Sequence, residues 1–351
     1  MKSKIQNLFI AMVLFAGIHQ AAAQNLFVAD NGSGNIYVFT NGVATAKGTF
    51  ASGLNQPAAL IFDKTGNLYA SEAPGSGLGN IYEFTPGGVR TTYASYTNAN
   101  IYVPYTVGLA FDSTGDLFVG EGGSSPGIYE FTTNGTQSYF SDPGTGPYGM
   151  VFDSAGDMFA TIDADGSIYE FTNTLASEEG SYAYGLSSPL GLAFDSAGNL
   201  YETDQGSGSI YEFTNGVAAA KGAFASGLNA PAGLAFDSTG NLYVTTSGDG
   251  KIYEFTNGVA TAKGIFASGL NNPIGIAIAP GSTLSVSIKM FAGIILNNGQ
   301  IGSNYLIQAT SNLSTSNWTT LTNVTLPSQP YIYIDYSSYT NSQHFYRAVS
   351  Q

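Results

Sequence analysis

The sequence contains no cysteine. No disulfide can staple the fold, no thiolate can serve as nucleophile or metal ligand, and no lipid-modified cysteine can anchor the chain. Histidine is nearly as scarce, with only His19 and His344 in 351 residues. Neither falls between residues 24 and 280, which excludes a Ser-His-Asp or Cys-His hydrolytic set from that stretch. Basic residues are few as well. Ten Lys and Arg stand against 24 Asp and Glu, a formal charge of −14, so the basic face that nucleic-acid phosphates require is missing. Beyond the first residues no apolar run is long enough to span a bilayer, and no membrane span is expected.

What is present begins with an export-like leader. Lys2 and Lys4 give a positive start, Leu8 to Ile18 an apolar run too short to cross a membrane comfortably, and Ala21-Ala22-Ala23 a small-residue cleavage site. This pattern predicts a signal peptide over residues 1–23, cleavage near Ala23, and a secreted protein in the periplasm, outside the cell or on its surface. Losing the two lysines takes the formal charge from −14 to −16. Such acidity favours a well-solvated surface and leaves room for divalent cations. Glycine is abundant at 45 residues, alongside 23 tyrosines and 22 phenylalanines. Many tight turns between aromatic-rich segments point to an all-β protein.

The turns and strands repeat. One copy runs Pro231-Ala-Gly-Leu-Ala-Phe-Asp-Ser-Thr-Gly-Asn-Leu-Tyr-Val, continues through a Gly-rich loop to Ile252-Tyr-Glu-Phe-Thr, and ends at Ile265-Phe-Ala-Ser-Gly-Leu. Phe-Asp recurs at Phe62, Phe111, Phe152, Phe194 and Phe236, with spacings of 49, 41, 42 and 42 residues. Ile-Tyr recurs at Ile36, Ile81, Ile128, Ile168, Ile210 and Ile252. Each copy reads as four short strands. The first two are joined by an Asp-x-x-Gly-Asn turn in which Gly takes positive φ. An Asn-Gly turn such as Asn257-Gly258 follows the third. Four strands in one such period make a propeller blade.

The ends of the array are complementary. The segment after the leader starts at Asn25-Leu-Phe-Val, a second strand, and the last copy stops after Pro273-Ile-Gly-Ile-Ala-Ile, a first strand. Pairing residues 274–279 with 25–30 closes a ring and removes two open sheet edges. The expected fold is therefore an all-β six-bladed β-propeller over residues 24–280, closed by its N- and C-terminal strands. Through Pro-x-Gly-Leu-Ala-Phe-Asp-x-x-Gly-Asn-Leu-Tyr-Val and Ile-Tyr-x-Phe the array resembles the NHL-repeat and gluconolactonase-like (senescence marker protein) propellers, and also the streptogramin lyase repeats. These families share the blade and differ in their sites.

Residues 284–351 leave the repeat and form a small β module resembling a β-sandwich. Strands are expected at Leu284 to Met290, Tyr305 to Thr310, Trp318 to Thr322, Tyr331 to Ile334 and Phe345 to Val349, with the lone Trp318 as core anchor. The run from Tyr305 to Phe345-Tyr-Arg-Ala resembles a short C-terminal module of large secreted bacterial repeat proteins. Surface attachment or export sorting is one reading of it, and a folded cap or spacer the other.

Candidate chemistry gathers where second strands end, beside the channel. That position holds Asp30, Glu72, Glu121, Ile162, Asp204 and Thr246, with Asp163 following Ile162. A regular hairpin register sets these opposite Ala58, Val107, Tyr148, Leu190, Ala232 and Ile274. The expected mouth is an apolar collar backed by up to five carboxylates: Asp30, Glu72, Glu121, Asp163 and Asp204. Clustered carboxylates repel unless a cation or solvent separates them, and calcium is the natural ion. The plainer alternative is that each acid caps its own Gly-rich loop. Asp63, Asp112, Asp153, Asp195 and Asp237 lie on the opposite face and read as turn residues. Asp163-Ala-Asp165-Gly bears only a faint likeness to a calcium loop, because it lacks the later glutamate of an EF-hand. Tyr105 and Tyr148 are candidate stacking residues for a ligand, or packing residues. The insertions at 73–80 and at Tyr93 to Val107 interrupt the repeat and mark places to look for function.

Two functional readings follow. The first is a secreted, monomeric, non-enzymatic binding or scaffold propeller whose ligand is a glycan, a protein or a small molecule. No cofactor is required, although calcium fits the rim. The second is a metal-dependent lactonase. The gluconolactonase-like resemblance implies metal ligands of Glu, Asp and Asn type, carried here by Glu72, Glu121 or Asp204. The streptogramin lyase resemblance implies a catalytic histidine on the propeller, and this chain has none there. Near-identity of the blades favours the first reading, because a catalytic residue is needed once and a packing residue in every blade.

Overall fold

In the computed structural model, the structure describes residues 24–74, 79–95, 108–121, 127–141, 147–172, 181–218 and 221–280, and five strands between residues 292 and 350. Contacts divide the chain into two compact units, one spanning Ala21–Ser282 and one that includes Thr283–Gln351.

The first unit is a six-bladed β-propeller of four-stranded antiparallel sheets. Blade 1 runs from its inner strand Pro273–Ile278 through Leu26–Asp30 and Asn35–Phe39 to the outer strand Lys47–Ala51. Blade 2 comprises Pro57–Phe62, Leu68–Glu72, Asn80–Phe84 and Arg90–Ser95. Blade 3 comprises Leu109–Phe111, Leu117–Glu121, Gly127–Phe131 and Gln137–Ser141, and blade 4 Met150–Phe152, Met158–Ile162, Ser167–Phe171 and Ser181–Ala183. Blade 5 is Pro189–Phe194, Leu200–Asp204, Ser209–Phe213 and Lys221–Ala225. Blade 6 is Pro231–Phe236, Leu242–Thr246, Lys251–Phe255 and Lys263–Ala267.

The ring closes as the ends of the array require. Leu26 lies opposite Ile278, Phe27 opposite Ala277 and Val28 opposite Ile276. Gln24 stitches the same seam: its Nε2 donates to the Ala279 carbonyl (2.8 Å) and its Oε1 accepts the Ser238 N–H (2.7 Å).

Blades adhere through aromatic side chains. The second-strand aromatic of each of the first five blades meets the Phe of the next inner strand edge to face. These pairs are Phe27–Phe62, Tyr69–Phe111, Phe118–Phe152, Phe159–Phe194 and Tyr201–Phe236, with centroids 5.0–5.4 Å apart. Such pairs add about 0.5–1.5 kcal/mol beyond the area they bury. At the closing seam Ile278 takes the place of that Phe and packs with Tyr243. The third-strand Phe39, Phe84, Phe171, Phe213 and Phe255 are fully buried. The third-strand tyrosines are half-buried, and four carry a cation on the ring: Lys47 on Tyr37, Arg90 on Tyr82, Lys221 on Tyr211 and Lys263 on Tyr253, at 3.8–5.0 Å. Charge at the start of the outer strands also discourages edge-to-edge pairing.

Local turn chemistry matches the sequence. Asp237 Oδ1 accepts the Thr239 and Asn241 N–H groups, and Gly240 has φ of +88°. Asn257 and Gly258 both take positive φ, at 52° and 60°. The connection is longer than a two-residue hairpin, however, because a second short turn at Ala260–Ala262 precedes the outer strand.

Inner strands depart from a regular hairpin register. A bulge sets Asp204 opposite Pro189, Glu72 opposite Pro57, Asp30 opposite Pro273 and Thr246 opposite Pro231. The expected partners Leu190, Ala58, Ile274 and Ala232 are therefore one residue out. Neighbouring inner strands also come close to one another. A Cβ on Gly149, Gly191, Gly233 or Gly275 would meet the carbonyl of Leu190, Ala232, Ile274 or Ala58 in the next blade. Three second-strand hydroxyls latch onto the same carbonyls: Thr161 to Leu190, Thr203 to Ala232 and Thr245 to Ile274.

In the second unit Ala292–Leu296 pairs with Tyr331–Asp335, and Asn304–Thr310 pairs with both Thr319–Thr325 and Phe345–Ser350. The strand at Ala292–Leu296 was not expected from the sequence. The strand expected at Leu284 to Met290, and Trp318, lie outside the described residues.

The close approach of inner strands makes a sharp prediction. Gly275→Ala should lower the free energy of unfolding by about 2–3 kcal/mol, as overpacking against fixed backbone does. Gly222→Ala, with nothing within 4 Å of its would-be Cβ, should stay within about 0.5 kcal/mol. Urea unfolding of the two variants beside the parent checks the contrast.

Candidate functional site

The channel is lined by the inner strands. Ala58, Tyr148, Leu190, Ala232 and Ile274 form the collar anticipated from the sequence, above Leu60, Leu109, Met150, Leu192, Leu234 and Ile276. They enclose a cavity of about 110 Å3. Tyr148 is the largest side chain of this lining, so it supplies the broadest apolar surface there. Val107 and Tyr105 lie outside the described residues.

None of the five rim acids lines that cavity. For three of them the bulge explains why. By adding a residue to the inner strands of blades 1, 2 and 5 it sets Asp30, Glu72 and Asp204 opposite Pro, where each carboxylate meets the loop entering the blade. Asp30 accepts the Asn271 N–H at 2.6 Å and the Ser33 hydroxyl at 2.7 Å. Glu72 accepts the Asn55 N–H at 2.7 Å and Asn80 Nδ2 at 2.8 Å. Asp204 accepts the Ser187 N–H at 2.6 Å and the Ser207 N–H at 2.9 Å. In blades 1 and 5 this ties the incoming loop to the loop that leaves the second strand, and in blade 2 it ties the incoming loop to the start of the third strand. In blade 6 the acid is replaced by Thr246, whose hydroxyl donates to Asp249, itself paired with Lys251 at 2.7 Å. In blade 4 Asp163 is half-buried and opens the turn that its carbonyl closes on the Gly166 N–H.

Burial sets the electrostatics of these acids. Asp30 is pushed above the ordinary carboxylate range by burial, against the lowering effect of its bonds from Ser33 and Asn271. Burial alone pushes Glu121 to about 7. Among the described residues no group of three or more His, Cys, Asp or Glu side chains is disposed to hold a metal ion. Asp30, Glu72 and Asp204 serve separate blades.

Sequence reasoning passed over Glu202. It is fully buried, and neither carboxyl oxygen has a hydrogen-bond partner. Burial first, and Asp204 second, raise its pKa well above the ordinary carboxylate value, with Lys221 acting in the opposite direction. The signal lay in comparing one strand position across the blades, where Glu202 stands against Val28, Ala70, Val119, Ala160 and Val244.

Fold and site together define a six-bladed β-propeller with an apolar channel and loop-binding carboxylates at its rim. A scan against protein-family models and a search of curated proteins found no match. Among solved structures, a nidogen/laminin complex superposes with a TM-score of 0.62 at 19% identity, covering 74% of this chain and 99% of that one. A gluconolactonase from Xanthomonas campestris gives a TM-score of 0.53 at 13% identity, covering 63% and 79%. A streptogramin B lyase gives 0.52 at 17% identity, covering 73% and 92%. These likenesses show the fold that the repeat resembled, and at such identities the fold alone.

Asp204→Ala strips two backbone donors of a charged acceptor and should cost about 2–3 kcal/mol in urea unfolding at neutral pH. Asp204→Asn, which keeps one acceptor oxygen, should lose less. For Glu121 the folded value, about 7, lies above the unfolded 4.5. Its ionisation therefore opposes folding, and stability should fall as pH rises through that window and level off above it. Thermal unfolding of Glu121→Gln should show a shallower decline there than the parent, and parallel curves would remove the assignment.

Proposed function

We propose that this chain is a secreted, non-enzymatic propeller that binds a glycan or protein partner on the channel-mouth face. The observation that carries this reading is the state of the rim carboxylates. Asp30, Glu72 and Asp204 each hold two donors from the loops and strand start around them, so they act as structural acceptors. The collar offers apolar surface and one aromatic ring, Tyr148, the kind of surface on which a sugar face or an apolar side chain packs. The leader-like residues 1–23, cleaved near Ala23, support secretion, and residues 284–351 serve surface attachment or sorting in this reading. Calcium at the rim would compete with backbone N–H groups for Asp30, Glu72 and Asp204.

A metal-dependent lactonase is the second reading. Its candidate metal ligands are Glu72, Glu121 and Asp204, and the observation favouring it is that Glu121 is a buried rim carboxyl whose charge state changes near neutral pH, at about 7.

The deciding experiment takes residues 24–351 and combines three measurements. Thermal unfolding in EDTA and in millimolar calcium should coincide. Calorimetric titration against neutral and acidic oligosaccharides should find a ligand that Tyr148→Ala weakens about tenfold, the loss of one aromatic contact worth about 1.4 kcal/mol. A lactone panel with added calcium should give no turnover. Calcium-dependent turnover abolished by Glu121→Gln would replace the first reading with the second.

A further inference from the structure

Glu202 is the third residue of the second strand of blade 5. Residues two apart on a strand share a face, and Leu200, on the same face, packs against Phe159, Ile168, Ala183 and Leu186 of blade 4. At the equivalent position Val28, Ala70, Val119, Ala160 and Val244 each lie in the apolar packing between their blade and the preceding one. Five of the six junctions are therefore hydrocarbon at this level, and one holds a carboxyl group. That group is 0% exposed and has no hydrogen-bond partner on either oxygen.

The surroundings give it little to work with. On the adjacent strands Leu192 and Tyr211 lie opposite it. Asp204, on its own strand, repels its charged form. The one cation acting on it is Lys221, whose ammonium sits over the Tyr211 ring, 4.0 Å from its centroid. From blade 4 come apolar side chains and Tyr182, whose buried hydroxyl is likewise without a partner and feels Glu170. A buried acid without partners is tolerated only in its neutral form, because the unpaired anion carries a large desolvation penalty.

We propose that Glu202 makes the junction between blades 4 and 5 the alkali-sensitive joint of the ring: protonated, it packs as a side chain of that interface, and ionised, it loosens blade 4 from blade 5. The sign follows from burial. The unfolded chain gives up this proton in the ordinary carboxylate range, whereas the folded chain retains it to higher pH. Stability from a neutral Glu202 is complete in acid and is lost as pH rises. The other five junctions, with Val or Ala at this place, contribute no such slope.

The test uses residues 24–351, Glu202→Val and Glu202→Gln. Val occupies this position in three blades, so its variant keeps the packing, and Gln keeps the shape without the ionisation. At pH 4 all three should melt within about 1 °C of one another. At pH 9 the Val variant should melt roughly 4 °C or more above the parent, the shift expected for a difference of one to two kcal/mol in a chain of this size. Amide exchange at pH 9 should be about tenfold faster in the parent than in the Val variant within Met158–Ile162 and Leu200–Asp204, and unchanged in blade 2. Parallel melting curves from pH 4 to 9 would overturn the proposal. So would sodium, potassium or calcium raising the parent's melting temperature at pH 9 but not that of the Val variant, because the carboxylate would then be holding a cation.

Discussion

The fold depends on one pairing, that of Pro273–Ile278 with Leu26–Asp30. These segments lie at opposite ends of the propeller chain, so the contact carries the largest loop-closure entropy in the domain. Without it blade 1 lacks its inner strand, and two sheet edges stand open. With no cysteine in the sequence, closure rests on a short antiparallel ladder, the Gln24 stitch and the apolar packing of Leu26, Val28 and Ile276 against Tyr243, Ile252 and Leu270 of blade 6.

Closure also sets the geometry at the centre. Six inner strands crowd around one axis, and the backbone of each presses on the next. Gly149, Gly191, Gly233 and Gly275 answer that crowding by omitting a side chain, and in blades 1, 2, 5 and 6 a bulge shifts the register by one residue. This local adjustment decides the chemistry of the rim. A regular hairpin would set the acids opposite the collar, beside the channel. The bulged one sets them opposite Pro, where they hold loop N–H groups. The channel is thereby lined by apolar side chains while Asp30, Glu72 and Asp204 hold hydrogen bonds within their own blades.

The outer layers repeat more faithfully. Edge-to-face aromatic contacts run from blade to blade, and cations cover the half-buried third-strand tyrosines of blades 1, 2, 5 and 6. This regularity makes the departures conspicuous. Thr246 replaces an acid and brings its own ion pair with it, through Asp249 and Lys251. Ile278 replaces an aromatic at the seam. Glu202 is a buried carboxyl for which the structure supplies no compensating hydrogen-bond partner.

The sequence by itself determined the blade, the number of blades and the way the ring closes. Those features follow from short-range rules, namely alternation along strands, Asp-x-x-Gly-Asn turn chemistry and the complementarity of the two ends. It also located the collar residues Ala58, Tyr148, Leu190, Ala232 and Ile274, because each follows the Pro of its inner strand and all but Ala58 precede a Gly. It left the role of Asp30, Glu72 and Asp204 open between cation and loop, since their hydrogen-bond partners depend on a one-residue bulge that strand alternation does not announce. Only the tertiary structure decided which N–H groups those acids meet, and only it revealed that Glu202 is sealed in the junction of blades 4 and 5. Both depend on contacts between segments far apart in the chain, where the burial of a group is set by what the neighbouring blade places against it.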